Sequence, residues 1–150
     1  NPGCLSLWID AKEKLNARVV RSSSCTIQIP ELDLAVHPGS NSTGYVSNVE
    51  GVLQRFMDVI DLVSKDLLDP NSNENLDESM QQLMEMKETL LRVGEQDSVP
   101  FTLEFLDPHG LSTILHPDAQ QRELTDDEIQ SLPVGPDPAV FSNQELNRDE

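Results

Sequence analysis

Residues 47–67 read SNVEGVLQRFMDVIDLVSKDL, and residues 76–91 read LDESMQQLMEMKETLL. In the first stretch Val49, Val52, Leu53, Phe56, Ile60, Val63 and Leu67 recur at steps of three and four, one apolar stripe of a helix. Ser47 and Glu50 have the spacing of a capping box, with Ser47 accepting from an amide of the first turn and Glu50 reaching back. Asp69-Pro70-Asn71 ends that helix. A second helix is expected from about Asn75, its start favoured by Asp77 and Glu78 and its end marked by Gly94. Leu76, Met80, Leu83, Met84 and Leu90 form its apolar face, and the methionines read as packing rather than as a binding surface. A short polar link between two long helices implies an antiparallel hairpin over about 47–94.

Strand periodicity flanks the hairpin on both sides. Residues 4–9, CLSLWI, read as a strand, and 11–18 as a turn or short helix before Val19-Val20 and a serine-rich bend at 22–24. Ile27 and Ile29 alternate with Thr26 and Gln28. After Pro30, which has no N–H to give a ladder and so marks an edge, bulge or corner, Leu32, Leu34 and Val36 alternate with Glu31, Asp33 and Ala35. Residues 37–44 read as a loop. Beyond the hairpin, Val99, Phe101, Leu103 and Phe105 alternate with Thr102 and Glu104. Asp107-Pro108-His109-Gly110 fits a type I turn, with 111–115 returning as the partner strand of a β-hairpin. The fold class is therefore mainly β with an α insertion. The module is expected over 1–118, and 119–150 reads as an acidic, flexible tail or linker with a short helix at 126–132 capped by Thr125.

The 150 residues carry 27 acidic and 10 basic side chains, a formal charge of −17. Such a field repels phosphate backbones and anionic lipid surfaces and favours a basic protein partner, which excludes nucleic acid and membrane as direct targets. A chain of this length buries roughly 68–70% of its unfolded surface, enough for a real core. Cys4 and Cys25 lack the spacing of a zinc site or a redox pair. Asn41-Ser42-Thr43 matches a glycosylation sequon and reads as a chance match in a loop, and the start Asn1-Pro2-Gly3, without Met, reads as a fragment of a longer protein.

No phosphate loop, dinucleotide fingerprint or nucleophile elbow is present. His37, His109 and His116 each neighbour a loop proline and read as solvated turn residues. Acid pairs such as Asp126 with Asp127 arise by chance in so acidic a chain. The sequence reads as a non-catalytic protein-binding module, and the outward-facing Glu31 and Asp33 are its candidate partner contacts.

Leu15-Asn16-Ala17-Arg18-Val19-Val20-Arg21-Ser22 and Ile27-Gln28-Ile29-Pro30-Glu31-Leu32-Asp33-Leu34 resemble segments of the ZPR-type zinc-finger proteins. So do Val49-Glu50-Gly51-Val52-Leu53, Pro100-Phe101-Thr102-Leu103 and Asp107-Pro108-His109-Gly110-Leu111-Ser112. Ala17 and Leu111 stand where that pattern has Arg and Asn. The resemblance spans about residues 5–118. It implies a double-stranded β-helix of short strands with an inserted antiparallel helical hairpin, one module of a tandem pair. It places no cofactor in this chain and expects zinc in a finger upstream. Within the shared motifs Pro30, Glu50, Gly51, Asp107, Pro108 and Gly110 read as structural, Gly51 through close packing against a strand. The resemblance further implies binding to, and help in folding, GTP-bound translation elongation factor one-alpha, in cytoplasm and nucleus. Its alternatives are an adaptor for growth-factor receptor cytoplasmic tails and, from the fold alone, a cupin-like metal enzyme, for which no ligand motif is present.

Overall fold

The computed structural model describes residues 1–39, 43–68 and 76–132. The sequon's Asn41, the Pro70 stop, the expected second-helix start at Asn75 and the tail from 133 onward lie outside the described residues.

The described residues form eight strands: β1 (Gly3–Ile9), β2 (Arg18–Arg21), β3 (Thr26–Ile29), β4 (Leu34–Val36), β5 (Tyr45–Asn48), β6 (Phe101–Asp107), β7 (Thr113–Leu115) and β8 (Gln120–Glu123). They form two antiparallel sheets, in the orders β4-β3-β6-β1-β8 and β5-β2-β7. In the larger sheet Leu7 faces Leu103, Ile9 faces Phe101 and Ile27 faces Phe105, so alternate side chains of three neighbouring strands enter one core. Val19 and Ile114 enter it from the smaller sheet. Two sheets wrapped in this way are a jelly roll, the double-stranded β-helix that the family resemblance implies.

Two helices, α1 (Val49–Leu67) and α2 (Leu76–Leu91), form the hairpin inserted between β5 and β6. Val49, Val52, Leu53, Phe56 and Ile60 of α1 are buried in the same core as the sheets, and Leu83, Met86 and Leu90 of α2 join them. The hairpin is therefore part of the fold's interior wall. An ion pair between Lys87 and Asp61 at 2.7 Å ties the two helices on their outer side. No helix of the described residues is long and apolar enough to cross a membrane.

Four local expectations are corrected. The cap of α1 is Asn48, whose side chain accepts from the Gly51 amide at 2.8 Å. Ser47 cannot serve, because it lies in β5 opposite Val19, and the Val49 amide is held by the Ala17 carbonyl at 2.9 Å. Residues 101–115 are not a β-hairpin: β6 pairs with β1 and β3, whereas β7 pairs with β2 in the other sheet. Val99 stays outside the strand and is exposed. Finally, the fold does not end at 118. β8 pairs with β1, and α3 (Asp126–Ser131) has a complete capping box between Thr125 and Glu128, the short helix and cap expected within the tail. Ile129 and Leu132 pack on Cys4, Leu106 and Leu124, covering one end of the larger sheet's outer face.

Candidate interaction surface

Pro30, Glu31 and Leu32 form a turn of 3₁₀ helix between β3 and β4, and Asp33 follows in the left-handed region at φ 52°. Glu31 and Asp33 therefore do not share the outer face of a strand, as the alternation suggested. The Glu31 carboxylate accepts from the Thr102 amide at 2.8 Å and the Thr102 hydroxyl at 2.7 Å. Burial pushes this carboxyl up, but the two Thr102 bonds outweigh it and hold it below the ordinary glutamate value. Glu31 is thus a latch between the Pro30 turn and the start of β6. Asp33 remains exposed.

The other motif residues lie at a helix start and at a corner between the sheets. A Cβ on Gly51 would run into the Ser47 hydroxyl, so the glycine lets α1 start against β5. Glu50 is exposed in the first turn, where a carboxylate complements the helix dipole. Asp107, 1% exposed, is the knot of the corner that carries the chain from one sheet to the other. Its carboxylate accepts from the amides of His109 at 2.9 Å, Leu111 at 2.9 Å and Ser112 at 2.7 Å, and from the Ser112 hydroxyl at 2.6 Å. Ser112 in turn accepts from the Ser22 amide at 2.9 Å, which ties the corner to the end of β2. Burial pushes the Asp107 carboxyl up, yet the Ser112 hydroxyl and the surrounding donors hold it below the usual aspartate range. Pro108 occupies the second position of the turn, and Gly110 closes it at φ 69°, its α-carbon packed against the Asn1 backbone.

The three histidines do not converge. His37 contacts the Thr26 hydroxyl at 3.4 Å, His116 contacts Glu13 at 3.2 Å, and His109 is exposed on the Asp107 corner. Among the described residues no group of three or more His, Cys, Asp or Glu side chains could hold a metal ion, so the cupin-like alternative finds no ligand set there. Cys4 and Cys25 are free thiols in separate clusters, Cys4 beneath α3 and Cys25 in the main core. Burial pushes them up to about 11 and about 12, which leaves both as unreactive thiols at neutral pH.

A candidate surface lies on α2, and sequence reading missed it. Met80, Met84, Gln81 and Thr89 line a shallow open groove together with Asp77, Glu85 and Glu88. Met84 is 66% exposed although periodicity placed it in the core. α2 carries apolar residues on two stripes, and only the one with Leu83, Met86 and Leu90 turns inward. Exposed methionine offers a deformable apolar contact, and three carboxylates around it set a negative field. The alternative register of the methionines was the one available sign of this face in the sequence.

Residues 13–131 match the family model described as the ZPR1 jelly-roll domain. An uncharacterized ZPR1-like protein of Pyrococcus horikoshii is 34% identical over 135 residues, 90% of this chain and 58% of that protein. A second ZPR1-like protein, from Methanocaldococcus jannaschii, is 34% identical over 129 residues, 86% of this chain and 61% of its own length. The human zinc finger protein ZPR1 is 31% identical over 120 residues, 79% of this chain but 24% of that protein. The chain thus spans about three-fifths of these archaeal relatives and about a quarter of the human one.

Proposed function

The chain belongs to the ZPR1 jelly-roll family, and from that premise we propose that it is a non-catalytic module binding a basic protein partner through the acidic, methionine-lined groove of α2. A protein-binding role of the ZPR1 type follows from membership. The observation that carries the finer reading is the exposure of Met84 among Asp77, Glu85 and Glu88, on a chain of net charge −17. Long-range attraction of that sign accelerates encounter with a basic protein, and the methionine then supplies adaptable apolar contact. The hairpin is suited to this task because its opposite side is anchored in the core, so the groove is presented on a rigid element.

The partner we propose is GTP-bound translation elongation factor one-alpha, a basic protein, met in the cytoplasm and in the nucleus. Zinc belongs in this reading to a finger outside the chain, which would add a second point of contact. The test is a pull-down with purified GTP-bound factor, using the chain alone and the chain joined to a zinc finger of a ZPR1-type protein. Retention by either supports the proposal. Absence of binding by both removes the elongation-factor reading.

A further inference from the structure

We infer that the outward face of the smaller sheet is a second docking surface, for a partner segment that carries apolar side chains and a carboxylate. In β5-β2-β7 the side chains of Val19 and Ile114 point into the core, so those of Arg18, Val20, Val46, Asn48, Thr113 and Leu115 point away from it. An antiparallel sheet with one face in water ordinarily presents polar residues there. Here Val46 is 65% exposed and Leu115 60% exposed, with Val20 half-buried between them. Register places Val46 directly opposite Val20, and Leu115 one diagonal step away beside Arg18, so the three form one continuous apolar strip.

Charge decides what fits this strip. The chain has 27 acidic residues, yet none is among the six that point outward from these strands. The only charge there is Arg18, on the central strand and flanked by Asn48 and Leu115 in register. Arg18 is exposed and makes no ion pair or side-chain hydrogen bond among the described residues. A carboxylate arriving over Leu115 would meet the guanidinium in a charge-assisted pair, sheltered by the apolar strip. The contact is local: the field of the whole chain opposes approach of an acidic segment, and Arg18 on an acid-free face gives its carboxylate a partner on arrival. The surface thus selects the opposite chemistry from the α2 groove, and it goes beyond the function proposed above.

The test uses the full chain and a display library of random short peptides. Enriched peptides should combine carboxylates with aliphatic residues, and their bound-state amide shifts should map to β2, β5 and β7. Arg18→Glu, and separately Val46→Ser with Leu115→Ser, should weaken them by about tenfold or more. The double variant Glu85→Lys with Glu88→Lys should leave that binding in place. All the altered side chains are exposed, so urea midpoints should match the wild type and confirm folding. Enrichment of no acidic peptide, shifts mapping to another surface, or undiminished binding by Arg18→Glu would each overturn the inference.

Discussion

Replacing Asp107 with asparagine tests how the two sheets are joined. The wild-type carboxylate is 1% exposed and accepts four hydrogen bonds, three of them from backbone amides of the corner. Asparagine has nearly the same shape but turns one acceptor oxygen into a donor. Oδ2 accepts from Leu111, the Ser112 amide and the Ser112 hydroxyl, so an NH₂ group there, or at Oδ1, must face at least one inward-pointing N–H. Each buried donor left unpaired costs about 1–3 kcal/mol, and bonds to a charged acceptor are worth about 1.5–3 kcal/mol each. The variant should therefore lose about 3–4 kcal/mol in urea unfolding with an unchanged slope. At about 2–8 °C per kcal/mol for domains bracketing this size, its thermal midpoint should fall by about 10–15 °C. The pH dependence supplies a second check. Because the folded carboxyl is held below its ordinary value, its contribution is fully present above the unfolded pKa of about 4 and is lost as pH falls through the folded one. The gap between wild type and variant should accordingly narrow below about pH 4. A loss under about 1 kcal/mol, well short of the cost of one lost charged bond, would refute this reasoning. So would a gap that does not change with pH.

Three further outcomes follow from the packing. Gly51→Ala should destabilise by about 1–2 kcal/mol despite better helix propensity, because its methyl meets the Ser47 hydroxyl; adding Ser47→Ala should restore stability, and failure of that rescue in urea titrations would point elsewhere. Glu31→Ala should cost about 1 kcal/mol through loss of the Thr102 bonds while leaving partner affinity unchanged; weakened binding at full stability would return Glu31 to the interface. Ending the chain after Leu124 removes the helix that covers Cys4, so Cys4 should react with a thiol reagent about tenfold faster or more while Cys25 stays protected. Equal labelling rates with and without α3 would show that the helix does not shield it.

Much of the architecture was legible because it is local. The stripe from Val49 to Leu67, the break at Pro30 and the alternation from Phe101 to Phe105 each report one element from its own side chains. What escaped was set by distant partners. β5 is four residues long and abuts the helix, so Ser47 and Glu50 imitated a cap that pairing with Val19 forbids. The Asp107 turn has the composition of a hairpin, and its distant partners make it a crossing between sheets: Ser112 donates to Asp107 and accepts from the Ser22 amide. β8 consists of Gln120, Gln121, Arg122 and Glu123, all exposed, with no apolar period to reveal it. Glu31 meets Thr102 across 71 residues of sequence, which no local pattern encodes. The α2 groove was hidden for a different reason: with apolar residues on two stripes, composition alone does not say which one the core accepts.

Binding through the α2 groove is tested most directly by calorimetric titration of GTP-bound elongation factor one-alpha into the full chain and into the variant Glu85→Lys with Glu88→Lys, at low and high salt. Wild-type binding should weaken as salt rises, and the variant should bind about tenfold more weakly or worse with its urea midpoint unchanged. Equal affinity of the two proteins, insensitive to salt, would contradict it.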